Sequence, residues 1–251
     1  MDKYCLIYQP CGLGDIFFIQ KICKFWSEKG YKIILPVIHE YYWLNDYITD
    51  VNFISWDDKV RKLTHLDPLP DHVNFPYKER YNPHHDSYFS DDFVFINLFK
   101  SSGGLIMKSK YSDLGIDYTD WSNYFTFKRN TKKENDLYDL LGLNEGDEYI
   151  FINRNYMMRP SVVPYTKISN SPSDYNNLKL IELSIMDGFT IFDWLKVIEN
   201  AKEIHMIETS LNYILETKQV KLKTDKLNLY SRINNFVEVD YLFKLNWNYI
   251  V

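Results

Sequence analysis

The stretch that most constrains the fold is the first thirty residues. Tyr4-Cys5-Leu6-Ile7-Tyr8 is a short apolar run with the length of a buried strand. Gln9-Pro10-Cys11-Gly12-Leu13-Gly14-Asp15 follows as a tight glycine turn, residues 16–29 have helical patterning, and Gly30 closes them. Strand, glycine turn and an acidic residue at a helix start is how an α/β protein presents a ligand at the C-terminal end of a strand. The turn by itself names no ligand.

The same rhythm continues. Residues 31–37 and 51–55 are apolar strands with a short helix, 39–48, between them. Short apolar runs separated by helical stretches predict a parallel sheet with crossover helices. Residues 57–90 break the pattern with Pro68, Pro70, Pro76 and Pro83, a density that excludes regular helix or central strand. An irregular excursion of this length suits a functional insertion or a loop covering a sheet edge. A strand at 93–98, a flexible Ser101-Ser102-Gly103-Gly104 turn, a helix at 105–114 and a short helix starting at Asp120-Trp121-Ser122 complete the first half.

Residues 128–133, Lys-Arg-Asn-Thr-Lys-Lys, suit a solvated linker between lobes or, through their charge, a phosphate contact. The pattern then restarts with a helix at 134–141, stopped by Gly142, and a strand at 149–152 that runs into Asn153-Arg154-Asn155. A polar stretch with Pro160, Pro164 and Pro172 leads to a strand at 178–183. An amphipathic helix follows at 189–201, with Ile191, Leu195 and Ile198 on one face. A strand at 203–207, a helix opening at Glu208-Thr209-Ser210 and reaching about Thr217, and a strand at 227–230 finish the second half. The chain therefore divides into two α/β units, 1–130 and 131–235, with the aromatic tail 236–251 expected to pack back on the first.

The totals exclude some functions. A net charge of -5 argues against a nucleic-acid binder, since a phosphate-binding face makes a domain basic. Hydrophobic content of 45% and charged content of 25% are those of an ordinary soluble globular protein. Cys5, Cys11 and Cys23 match neither a disulfide framework nor a zinc pattern, and read as small buried residues in a reducing compartment. Met1-Asp2-Lys3 leads straight into the first strand with no cleavable leader, and no apolar run reaches the roughly eighteen residues of a membrane span. The expected location is the cytoplasm.

Gly12-Leu13-Gly14-Asp15 has Phe17 where a dinucleotide fingerprint needs its third glycine, and no Gly-Lys-Ser or Gly-Lys-Thr makes a P-loop. A methyltransferase remains open, with Glu40 beyond the second strand as a ribose ligand. Asp15 reads either as a plain helix N-cap, worth about 1 kcal/mol, or as a general base taking a proton from an acceptor hydroxyl. Arg154, at the end of a very apolar strand, suits a bidentate grip on a diphosphate or a surface salt bridge, with Arg159 a weaker second. Glu208-Thr209-Ser210 suits phosphate at a helix start and ribose hydroxyls at the carboxylate, or simple capping. His84-His85-Asp86 lacks the further ligands of a metal site, and His205, inside a strand, reads as a satisfied core histidine.

The opening strand with Gly12-Leu13-Gly14-Asp15 resembles the start of two-lobed, GT-B-type glycosyltransferases, particularly the ADP-heptose heptosyltransferase group. Phe189-Thr190-Ile191-Phe192-Asp193-Trp194, with Ala201 through Leu211, resembles the segment before and through the donor phosphate site of such enzymes. Arg154 after the first strand of the second lobe resembles, more distantly, the phosphate-binding Arg of GT-B fucosyltransferases. The resemblance implies two Rossmann-like lobes whose parallel sheets face a central cleft. It implies Asp15 as catalytic base, Gly12 and Gly14 making room for the acceptor, and Asn153, Arg154, Glu208, Thr209 and Ser210 holding a nucleotide-sugar donor. The substrates would be a nucleotide sugar and a glycan or other hydroxyl acceptor, with no cofactor and no metal. A non-catalytic glycan- or protein-binding protein, or an S-adenosylmethionine-dependent methyltransferase, is the alternative.

Overall fold

Two five-stranded sheets carry the chain, one in each of two units, Met1–Lys128 and Arg129–Val251. The computed structural model describes residues 2–9, 12–56, 87–98, 106–156, 165–166, 178–232 and 240–250. Each unit is a Rossmann-like sheet with flanking helices, as the strand–helix rhythm predicts.

In the first unit β1 (Lys3–Tyr8), β2 (Tyr31–Ile38), β3 (Asn52–Trp56), β4 (Tyr88–Phe89) and β5 (Phe93–Asn97) lie in the order β3-β2-β1-β5-β4. All neighbours are parallel except β4 with β5. β1 and β5 are buried on both faces, which is why they read as unbroken apolar runs rather than alternating ones. The strand order reverses between β1 and β5.

Two helices stand where periodicity predicts one. α1 (Leu13–Phe18) begins three residues earlier than expected and α2 (Gln20–Glu28) follows after a break at Ile19. The break has a cause. Phe18 O accepts from the Tyr111 hydroxyl at 2.5 Å, while Ile22 N–H turns to Ile19 O at 2.9 Å. Tyr111 belongs to α3 (Ile106–Ser112), and its ring meets Phe18 edge-on at 4.8 Å, so α3 is clamped onto the end of α1. Phe17 stacks on Phe125 at 4.7 Å on the same buried side. The expected helix at 39–48 is a 3-10 helix, His39–Asp46.

In the second unit α4 (Thr131–Leu140) precedes β6 (Tyr149–Asn153), and a small antiparallel pair, β7 (Asn155–Tyr156) and β8 (Tyr165–Thr166), follows. β9 (Lys179–Glu182), α5 (Leu195–Glu199), β10 (Glu203–Ile207), α6 (Ser210–Leu215), β11 (Leu227–Tyr230) and β12 (Asn248–Ile250) complete it. The sheet is parallel, in the order β12-β11-β10-β6-β9. Counted within the unit this is the flavodoxin-like order, and it reverses between β6 and β10.

Three expectations change. Where the sequence predicts that the tail returns to the first unit, its residues 240–250 extend the second: β12 pairs with β11, and Glu216 accepts from Lys244 N at 2.7 Å and Trp247 Nε1 at 2.8 Å. Residues 128–133 hold the boundary between the units and are mostly exposed, as a linker requires, but they are anchored as well as solvated. Arg129 pairs with both Glu134 on α4 and Glu199 on α5, and these carboxylates hold its guanidinium more firmly protonated than usual. Asn130 then caps α4, accepting from Lys133 N at 3.1 Å. Finally, α5 covers only the end of the helix expected at 189–201, because Asp193 Oδ2 holds Thr190 N at 2.7 Å in a turn.

Residues 57–86, with the proline-rich stretch and His84-His85-Asp86, lie outside the described residues, as do Cys11, the Ser101-to-Gly104 turn and Arg159. Among the described residues no helix is long and apolar enough to cross a membrane, and no group of three or more His, Cys, Asp and Glu could hold a metal ion. Cys5 and Cys23 are buried free thiols; burial raises both, Cys23 to about 12.

Candidate functional site

Ligands of open α/β sheets bind beyond the strand C-termini where the strand order reverses. Each unit has one such place, and each holds polar side chains that the surrounding apolar strands do not require.

In the first unit β1 leads through Gln9 to Gly12, and β5 leads to Leu98. Gly12 is the N-cap of α1, with φ 80 and ψ 85, a left-handed conformation that favours glycine. A Cβ there would fall on the Asp15 carboxylate, so the position needs glycine twice over. Asp15 is not the N-cap; it lies in the first turn of α1 and makes no capping hydrogen bond. Gly14, one residue before it, is inside the helix and partly buried.

The Asp15 side chain is 29% exposed and faces Lys110 Nζ at 3.2 Å from Oδ1. The Lys110 side chain is only 3% exposed. Its ammonium also donates to Gln9 Oε1 at 2.7 Å and to Leu98 O at 3.2 Å, tying the ends of β1 and β5 together. Two hydrogen bonds and an ion pair compensate the ammonium, the condition for burying one. Asp15 Oδ2 lies over Gly12 and takes no hydrogen bond among the described residues. The arrangement offers an oriented carboxylate with one oxygen engaged and the other open. Chemically that suits accepting a proton or a hydroxyl hydrogen bond.

In the second unit Asn153 ends β6, and its Nδ2 donates to Thr209 Oγ1 at 3.1 Å across the reversal between β6 and β10. Thr209 begins α6, and Asn212 Oδ1 returns to Thr209 N at 2.8 Å, so the capping role is realised. Ser210 is the first residue of that helix. Glu208, buried at the end of β10, accepts from Arg232 Nη2 at 3.0 Å. Arg154 turns toward β9, where its Nε donates to Glu182 Oε2 at 3.1 Å, the salt bridge foreseen as its plainer role. Asn153, Thr209, Glu208 and Arg232 thus gather on the β10 side of β6, and Arg154 stands on the β9 side. Each arginine has a glutamate partner, and a phosphate would compete with that glutamate for the guanidinium.

His205 sits in a polar ladder on β10 and β11. Its Nδ1 meets Tyr230 Oη and its Nε2 meets Glu203 Oε1, both at 2.9 Å. Burial lowers its basicity, while Glu203 opposes that. It is the satisfied core histidine that its place in a strand predicts. Glu40, the ribose ligand of the methyltransferase alternative, is an exposed residue of the 3-10 helix after β2.

Sequence reasoning missed Lys110, Gln9 and Arg232. Arg232 follows the end of β11 as Arg154 follows β6, so the rule that singles out one also finds the other. Lys110 carries no such local sign, because only the strand order brings α3 to Asp15.

No family model matches the chain, and none of the curated proteins does. Among solved structures, the crystal structure of the glycosyl transferase family 9 from Veillonella parvula DSM 2008 has a TM-score of 0.54 to this chain at 9% identity. The match covers 99% of this chain and 86% of that one. The likeness is one of fold. It is GT-B-like, as the opening glycine turn and the strand–helix rhythm lead one to expect.

Proposed function

We propose that the protein is a glycosyltransferase that moves a sugar from a nucleotide-sugar donor to a hydroxyl of a glycan or other acceptor, without a metal, in the cytoplasm. The observation that carries the reading is Asp15 at the strand-order reversal of a GT-B-like first unit, with one oxygen engaged by Lys110 and the other open. As the acceptor oxygen attacks the anomeric carbon, its proton passes to Asp15 Oδ2. The bond from that carbon to the phosphate oxygen breaks, and its electron pair leaves with the nucleoside diphosphate.

The second unit takes the donor in this reading. Asn153, Thr209 and Ser210 border the phosphates, Glu208 accepts from ribose hydroxyls, and Arg154 and Arg232 supply the charge that offsets the leaving diphosphate. Gly12 and Gly14 leave room on the acceptor side.

A thermal-shift screen of nucleoside diphosphates and nucleotide sugars tests donor binding. A ligand at about 100 times its Kd stabilises by roughly 2.7 kcal/mol, a readily visible rise in melting temperature. The expected outcome is a rise with one nucleotide class that Arg232→Met abolishes. No rise with any of them at millimolar ligand contradicts the donor assignment, and a rise with S-adenosylmethionine instead would point to methyl transfer.

A further inference from the structure

We infer that Lys110 is the positioning residue of the first unit's site: it fixes Asp15 Oδ1 so that Oδ2 is the oxygen presented to the acceptor. The inference rests on the transferase reading for its consequence, but the device stands on geometry alone. Lys110 is the second cation-bearing residue of α3, after Lys108, and the neighbouring Tyr111 clamps that helix onto α1 by its hydroxyl on Phe18 O. Tyr111 and Lys110 therefore hold the two ends of one short helix, α1: its last turn through Phe18 and its first through Asp15.

The ammonium is engaged on three sides. It donates to Gln9 Oε1 and Leu98 O and ion-pairs with Asp15 Oδ1, and its side chain is almost wholly enclosed. It is thus unsuited to touch a substrate itself and acts through Asp15. A buried cation beside the carboxylate holds it in one rotamer, and pre-oriented groups lower a barrier without further reorganisation. Gly12 completes the arrangement, since the oxygen left open lies in the space a side chain there would fill.

Two measurements test it. In protein labelled with 15N-lysine, Lys110 should give an exchange-protected ammonium signal, assigned by its loss in Lys110→Arg and shifted or erased by Asp15→Ala. No protected signal, or one indifferent to Asp15→Ala, overturns the positioning role. In parallel, nucleotide release from UDP-, GDP- and ADP-sugars is followed, with water or a simple glycoside as acceptor. Lys110→Met should lower kcat about 100-fold with KM for the donor changed less than about two-fold, and Lys110→Arg should recover to within about ten-fold of wild type. Should Lys110→Met not fold, Gln9→Leu, which removes one of the ammonium's three anchors, carries the same kcat-against-KM comparison. Wild-type kcat in these variants, or a loss confined to KM, refutes the inference. If the wild type itself releases no nucleotide, the transferase reading fails, and the ammonium signal still decides whether Lys110 holds Asp15.

Discussion

At the scale of single residues, Gly12 is the most demanding position in the first unit. Its φ of 80 is unfavourable for other residues by about 1–2 kcal/mol, and a Cβ there meets the carboxylate of Asp15. Gly12→Ala is therefore expected to lower stability by roughly that amount and, by displacing Asp15, to cut turnover more than about 100-fold. Chemical denaturation and donor turnover on the same preparation check both. Full turnover in Gly12→Ala would mean that the position of the carboxylate does not matter. Asp15 itself was legible from the sequence, because an acidic residue after a glycine turn has few uses. Its role as an N-cap was not the one taken, since the left-handed Gly12 starts the helix earlier. Lys110 was illegible for a physical reason: it and Gln9 are 101 positions apart, and only the pairing of β1 with β5 makes them neighbours.

At the scale of elements, the longer strands were legible almost to the residue, the short β4, β7, β8 and β12 were not, and the helices were legible only in outline. Buried parallel strands announce themselves as short apolar runs, and β1, β5, β6 and β10 all lie in the segments so marked. Helix limits depend on who else accepts or donates at the ends. A tyrosine hydroxyl splits α1 from α2, and an Asp193 turn shortens α5. The tail is the clearest case. Its aromatic residues demand burial, but nothing local says against which unit, and the deciding group is Glu216 at the end of α6. Glu216 accepts from Lys244 N, Leu245 N and Trp247 Nε1, so Glu216→Ala leaves buried donors unmatched and should cost about 3 kcal/mol. Burial raises the pKa of this carboxyl despite those hydrogen bonds. The folded state then holds its proton more tightly, and the resulting contribution is complete below the unfolded value of about 4.3 and is lost as pH rises through the raised one. The cost of Glu216→Ala should accordingly be larger at acidic than at neutral pH in urea titrations. A pH-independent cost below about 0.5 kcal/mol would remove Glu216 as the anchor of the tail.

At the scale of the whole molecule, two sheets with different strand orders each end in a polar cluster at the place where the order reverses. The first is 3-2-1 with β5 beyond; the second is flavodoxin-like. Arg129, held by Glu134 and Glu199, begins the second unit as firmly as the hydrogen bond from Lys128 N to Tyr47 O ends the first. The proposed function gives such a pair of units a common use, with acceptor chemistry assigned to one and donor phosphates to the other. The central claim of the proposed function is that Asp15 takes the acceptor proton. Nucleotide-sugar turnover by wild type and Asp15→Asn, measured with the donor class that the thermal-shift screen identifies, tests it most directly. Turnover in the wild type and a fall in kcat of about 1,000-fold or more in Asp15→Asn, with donor KM little changed, are expected. Robust transfer by Asp15→Asn would contradict it.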